Sequence, residues 1–266
     1  DDFETGDLSV WTGNYAHPSA YLSVLKSPSW AYNPSCYLNA SIKNTGEYAY
    51  VYKSVSSTDY LSCRAYIYFK DRDFSVLNQR RLIGPRFNTT HSNSTIFAMA
   101  SVVLEKTSLG NFYWGIYAYV NRSWTEFWSD KQAVNNQWQA IELRVKIHNC
   151  QGELKLLVND TEAISKTGQD TNDLGNITSV SLGCRIDGTS ESSNRIFLWD
   201  SVKIVNHGIV GLQTNIFYKN TTKYYDNRKA VVVTAWDDLT SWNQQWFDCV
   251  NTLKEKHIYG SCGIIT

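Results

Sequence analysis

Apolar residues at every second position constrain this chain most. In the stretch 141–148, Ile141, Leu143, Val145 and Ile147 alternate with Glu142, Arg144, Lys146 and His148. A period of two puts one set on each face of a β-strand, so one face meets a core and the other meets water. Residues 149–152 turn the chain into a second run, Glu153 to Val158, and Asn159-Asp160 turns it again. This reads as an antiparallel meander. The stretches 48–52 and 65–69 alternate in the same way, and 179–183 and 196–204 supply two later strands. No segment from Leu8 to about Val205 has helical spacing, so no helix longer than two turns is expected there. An all-β sandwich of about 200 residues follows.

The opening Phe3-Glu4, Gly6 and Trp11 resemble the start of concanavalin-type jelly-roll modules, the laminin-G-like and carbohydrate-binding sandwiches. Trp199-Asp200-Ser201-Val202 is similar to the aromatic-Asp-Asp-Val of their closing strand. The runs between Trp138 and Ile204 follow the order of their last hairpins. The resemblance covers residues 1–205 and implies a jelly roll of the glycan-binding type. It also implies a structural Ca²⁺ held by Glu4 and Asp200 with backbone carbonyls, the hard oxygen ligands that ion takes. A surface acid pair without metal is the other reading.

The pattern changes after residue 205. Residues 206–228 read as a linker, and Lys229 to Asp238 is a continuous apolar run ending in two acids. Such runs mark strands buried on both faces. Trp242, Trp246, Cys249, Val250 and Leu253 then take helical spacing, and residues 259–266 read as a second buried strand, making a βαβ unit over 229–266. This segment resembles the first βαβ unit of the polysaccharide deacetylase family, with Ala235-Trp236-Asp237-Asp238-Leu239 at its Thr-Phe-Asp-Asp-Gly motif. The resemblance implies Asp237 as general base and Asp238 as ligand of a divalent metal. Leu239 and Ala235 depart from the motif, and the family's later His-x-x-x-His pair is absent: His17, His91, His148, His207 and His257 are scattered. A divalent metal is expected only where such a domain is completed. The alternative is that the two acids end a strand and cap the next helix.

Three features concern surface and compartment. Seven Asn-x-Ser/Thr sequons occur, at Asn39, Asn88, Asn93, Asn121, Asn159, Asn176 and Asn220. Sequons act on surface turns of exported chains, so an extracellular or cell-surface glycoprotein is expected, with Asp1 following a removed leader. Six cysteines lack zinc or haem spacing. Their proximity in the chain favours Cys36–Cys63, Cys150–Cys184 and Cys249–Cys262 bridges; buried free thiols are the alternative. With 25 basic and 25 acidic residues the net charge is +0, which argues against a nucleic-acid partner or a polybasic membrane patch. No apolar run is long enough to span a bilayer.

The chain holds 10 Trp and 17 Tyr, side chains with an apolar face and a polar tip. Alternation puts Tyr48, Tyr50 and Tyr52 on one face of a strand, and Tyr113, Tyr117 and Tyr119 on one face of another. If the two faces share a sheet they form an aromatic platform for polysaccharide or for another copy of the chain; packing into a core is the alternative. The expectation is a mainly β jelly roll with a small C-terminal α/β unit that binds polysaccharide or cell-surface glycans. Its deacetylase-like unit is incomplete and inactive. The competing expectation is a subunit of an extracellular filament or sheath.

Overall fold

The computed structural model describes residues 3–206 apart from 28, 30, 33–34, 71–73, 76, 78–79, 91–95 and 187–193. These all lie in the first of two compact units, Asp1–Gln213. The expected βαβ unit, with Asp237, Asp238, Cys249 and Cys262, lies outside the described residues, as do Asn93, Asn220 and all but the first residue of the expected linker.

The described chain is two antiparallel seven-stranded sheets packed face to face. The front sheet runs, in spatial order, β1 (Gly13–Ala16), β4 (Tyr48–Thr58), β13 (Ile177–Ile186), β6 (Arg80–Thr90), β7 (Ile96–Lys106), β8 (Phe112–Val120) and β9 (Ser123–Ala133). The back sheet runs β12 (Thr161–Gln169), β11 (Gly152–Val158), β10 (Gln139–Lys146), β5 (Tyr60–Phe69), β14 (Arg195–Val205), β3 (Cys36–Ile42) and β2 (Tyr21–Lys26). No helix occurs among the described residues, and so none that could cross a membrane. The two sheets and their crossing connections make a jelly-roll sandwich.

The expected meander is β10–β11–β12, with Ile141 opposite Val158 and Leu143 opposite Leu156. Its second turn has Asn159 and Asp160 both in the left-handed region, at φ 48° and 61°. Asn121 and Arg122 repeat this between β8 and β9, at φ 50° and 61°. Two such residues give the tight hairpin whose twist matches the strands, and Asn and Asp tolerate it best.

Inward residues of both sheets form one core. Phe69 on β5 is fully buried and meets Phe112 and Trp114 of β8 edge-on, at 5.2 and 5.8 Å between ring centroids. Phe74 joins Phe112 at 5.0 Å and Phe197 of β14 at 5.9 Å. Edge-to-face pairs place the positive ring edge on the negative ring face, so this cluster ties the sheets together.

The thiols depart from expectation. Cys36, Cys63, Cys150 and Cys184 are all free. Cys36 on β3 and Cys63 on β5 have β14 between them, about 9.5 Å of sheet, beyond the ~7 Å that a disulfide spans between Cα atoms. Cys150 is exposed in the β10–β11 turn at the back, whereas Cys184 is buried on β13 at the front. Burial pushes the Cys63 and Cys184 thiols up, so they behave as apolar core groups.

Glu47 closes the loop before β4. It is 1% exposed, and burial alone would raise its pKa. Hydrogen bonds from Ser19 Oγ, the Asn44 and Lys43 backbone N–H groups and the Asn44 amide instead hold it down at about 2. A depressed carboxylate stabilises the fold above its unfolded value of 4.5, and that stability is lost as pH falls toward 2. Glu47→Gln should therefore cost about 1.5–3 kcal/mol at neutral pH and flatten the acid limb of a stability–pH curve. An unchanged acid limb in chemical denaturation would contradict this role.

Candidate functional site

The outward face of the front sheet gathers the tyrosines. Register sets one residue from each of its seven strands in a row: Gly13, Tyr52, Ser181, Arg86, Ser101, Tyr117 and Glu126. Paired residues point to the same side of a sheet. Tyr48, Tyr50 and Tyr52 therefore share a face with Tyr113, Tyr117 and Tyr119, and their inward neighbours Ala49, Val51, Trp114 and Ile116 are buried.

Two aromatic banks result. On β1 and β4, Tyr15 stacks on Tyr52 at 5.6 Å and tilts against Tyr50 at 5.6 Å, while Tyr48 lies 5.9 Å from Tyr50. On β8 and β9, Tyr117 stacks on Trp124 at 4.7 Å, and Tyr119 meets the same indole edge-on at 5.4 Å. Two glycines let rings lie flat. A Cβ on Gly13 would fall 2.7 Å from the Tyr52 ring, and one on Gly115 would fall 2.7 Å from Trp128. Tyr15, Trp124 and Trp128 are 50%, 43% and 37% exposed, which is unusual for large rings unless the surface has a partner.

The three strands between the banks carry polar groups. Arg86 Nε donates to Asn88 Oδ1 at 2.7 Å, and Asn88 Nδ2 donates to Ser181 Oγ at 2.9 Å and Ser179 Oγ at 3.2 Å. This chain fixes the guanidinium, which lies 5.9 Å from the Tyr50 ring centre. A small cleft opens here between Tyr50, Arg86, Ser101, Ser181 and Arg185. Burial raises the Tyr50 phenol, and the two arginines partly offset this. From β4 to β8 the face spans four strand spacings, about 19 Å, room for several sugar rings. A larger hollow of about 260 Å³, lined by Val10, Trp11, Lys53, Val202 and Ile204, lies apart from these rows and is mostly apolar.

Neither Arg86 nor Asn88 was expected as part of a ligand-binding face. Asn88 was expected as a glycan acceptor, but it is 2% exposed in mid-strand and its amide nitrogen is engaged, so a glycan does not fit there. Asn39 is half-buried in β3, an inner strand of the back sheet. Asn121, Asn159 and Asn176 lie in exposed turns; Asn121 Nδ2 donates to Gln169 Oε1 at 3.1 Å, and Asn159 Oδ1 accepts from Ala140 N at 2.9 Å.

Glu4 and Asp200 both hold the segment that leads into β3. Glu4 Oε1 accepts from the backbone N–H of Ser35 and Cys36 at 2.9 and 2.7 Å, and Oε2 accepts from Ser35 Oγ at 2.5 Å. Asp200 Oδ2 accepts from Tyr32 N at 3.0 Å, and Oδ1 from Ser201 N at 2.6 Å. A Ca²⁺ ion needs six to eight oxygen ligands, whereas these oxygens face N–H and O–H donors. Among the described residues no three His, Cys, Asp or Glu side chains converge to hold a metal. A structural Ca²⁺ at Glu4 and Asp200 stays a proposal, and backbone carbonyls would have to supply most of its ligands.

Neither protein-family models nor curated proteins match the chain. Solved structures do. An endo-β-1,4-glucuronan lyase from the fungus Trichoderma reesei superposes with a TM-score of 0.60 at 12% identity, over 76% of this chain and 93% of that one. A cellulose-induced protein gives 0.52 at 12%, over 78% and 96%. An alginate lyase from a Chlorella virus gives 0.51 at 13%, over 75% and 94%. At these identities the likeness is one of fold: the described sandwich shares its jelly-roll architecture with these structures.

Proposed function

We propose that the exposed front face binds an extended polysaccharide laid across the strands. The observation that carries this is the seven-strand row, with an exposed aromatic bank at each end and an oriented arginine between. Flat apolar rings suit the C–H faces of sugars, while Arg86, held in place by Asn88 and the serines beneath it, suits their hydroxyl and acid groups. The fold neighbours, several of them named for enzymes that act on polysaccharides, support the reading. Two substitutions on exposed rings, Tyr15→Ala and Trp124→Ala, test it. Each should weaken oligosaccharide binding by roughly three- to tenfold, on the scale of ~0.5–1.5 kcal/mol per aromatic contact, with little loss of stability. Full affinity in the double variant, measured by calorimetric titration, would refute it.

A second reading, cleavage of an acidic polysaccharide, is favoured by Arg86 lying 5.9 Å from the Tyr50 ring centre. Elimination at a uronate needs its carboxylate neutralised and a base at the adjacent carbon. Arg86 would neutralise, but the half-buried Tyr50 phenol, which burial pushes up, is a weaker candidate base. Release of unsaturated sugar ends, read by ultraviolet absorbance, tests it.

Export and glycosylation stand as proposals supported by the exposed turns at Asn121, Asn159 and Asn176; a mass shift on glycosidase treatment checks them. Metal-dependent deacetylation by Asp237 and Asp238 rests on the sequence resemblance alone. A filament contact would form by strand addition at the edge strands β1, β9, β2 or β12.

A further inference from the structure

The front face is not electrically uniform. Arg86 and Arg185 come from the adjacent strands β6 and β13 and line the cleft with Tyr50. His17 stands edge-on to Tyr48 at 6.0 Å, on the same side. The other end carries acid. Glu126 on β9 pairs with Tyr117 and accepts a hydrogen bond from Trp128 Nε1 at 3.2 Å. Glu105 on β7 pairs with Tyr113 on one side and with Arg80 of β6 on the other; burial, and then the charge of Glu126, push its carboxyl up, and Arg81 partly offsets this. From Arg86 on β6 to Glu126 on β9 is three strand spacings, about 14 Å, longer than the ~8 Å screening length at physiological salt. The basic and acidic ends therefore act on a ligand separately.

We infer that the polysaccharide taken here is a heteropolymer. A carboxylate-bearing sugar sits over Arg86 and Arg185, and an uncharged sugar stacks on Tyr117, Trp124 and Trp128 beside Glu126. The inference rests on the polysaccharide-binding reading above and narrows its ligand. A polymer acidic at every residue, spanning both banks, brings a carboxylate to Glu126, and like charges opposed across an interface cost affinity. A wholly neutral polymer leaves the arginines covered without an anionic partner, which also costs affinity. Only a mixed polymer satisfies both ends.

The test titrates the 266-residue protein with length-matched oligosaccharides of hyaluronan, which alternates glucuronic acid with N-acetylglucosamine, of alginate, acidic throughout, and of cellulose, neutral throughout. Hyaluronan should bind about tenfold tighter than either of the others at physiological salt. Glu126→Gln should strengthen alginate binding about threefold and narrow that gap. Glu126 is exposed, so the variant keeps the fold, which circular dichroism verifies. Alginate binding as tightly as hyaluronan, or indifferent to Glu126→Gln, overturns the inference and leaves polysaccharide binding standing. Binding of none of the three overturns the reading of the site and the inference together.

Discussion

Arg86→Ala is expected to weaken binding of a carboxylate-bearing oligosaccharide by about ten- to a hundredfold. Hydrogen bonds to a charged partner contribute roughly 1.5–3 kcal/mol, and each 1.4 kcal/mol is about tenfold in affinity. Arg86 is half-buried in the centre of the front face and held by Asn88, itself anchored on Ser179 and Ser181. The guanidinium therefore reaches the ligand with little side-chain entropy left to lose. Arg86→Lys should recover only part of the loss, because an ammonium cannot present two parallel donors to a carboxylate. Binding of a neutral oligosaccharide should fall far less. Equal losses for neutral and acidic ligands would show that Arg86 supports the face rather than reads charge.

Phe69→Ala should be the most destabilising single change, at about 3–5 kcal/mol. Phe69 is fully buried and meets Phe74, Phe112 and Trp114. Its removal leaves a cavity between sheets whose backbones are fixed by their ladders and cannot close it. For a domain of this size the melting temperature should drop by roughly 10 °C. Trp124→Ala, on the exposed face, should stay within about 0.5 kcal/mol. A loss below about 1 kcal/mol for Phe69→Ala would mean that the aromatic cluster does not hold the sheets together.

Much of the sandwich is legible in the residues, because strand period and turn chemistry are local. The β10–β12 meander follows from alternation and from Asn159-Asp160, and the Tyr48–Tyr52 and Tyr113–Tyr119 alternations put each set of tyrosines on one face of its strand, without saying which face meets water. What alternation does not carry is which strands meet. β4 and β8 share a face only because β13, β6 and β7 come between them, and β13 arrives from more than a hundred residues downstream of β4. The same non-local pairing defeats the cysteines: nearness along the chain favoured Cys36–Cys63, yet β14 lies between their strands. Arg86 and Asn88 escape notice for two reasons. Gly84 and Pro85 disguise β6 as a loop, since proline is poorly placed inside a sheet, and the sequon at Asn88 suggests a surface turn where there is a buried strand.

A crystal structure of the protein with a bound hyaluronan hexasaccharide tests the binding face most directly. The sugar should cross β4, β13, β6, β7 and β8, with a carboxylate on Arg86 and an uncharged ring on Tyr117 and Trp124. A sugar seated on the back sheet, or in the hollow beside Trp11, with the front face bare, would contradict that placement.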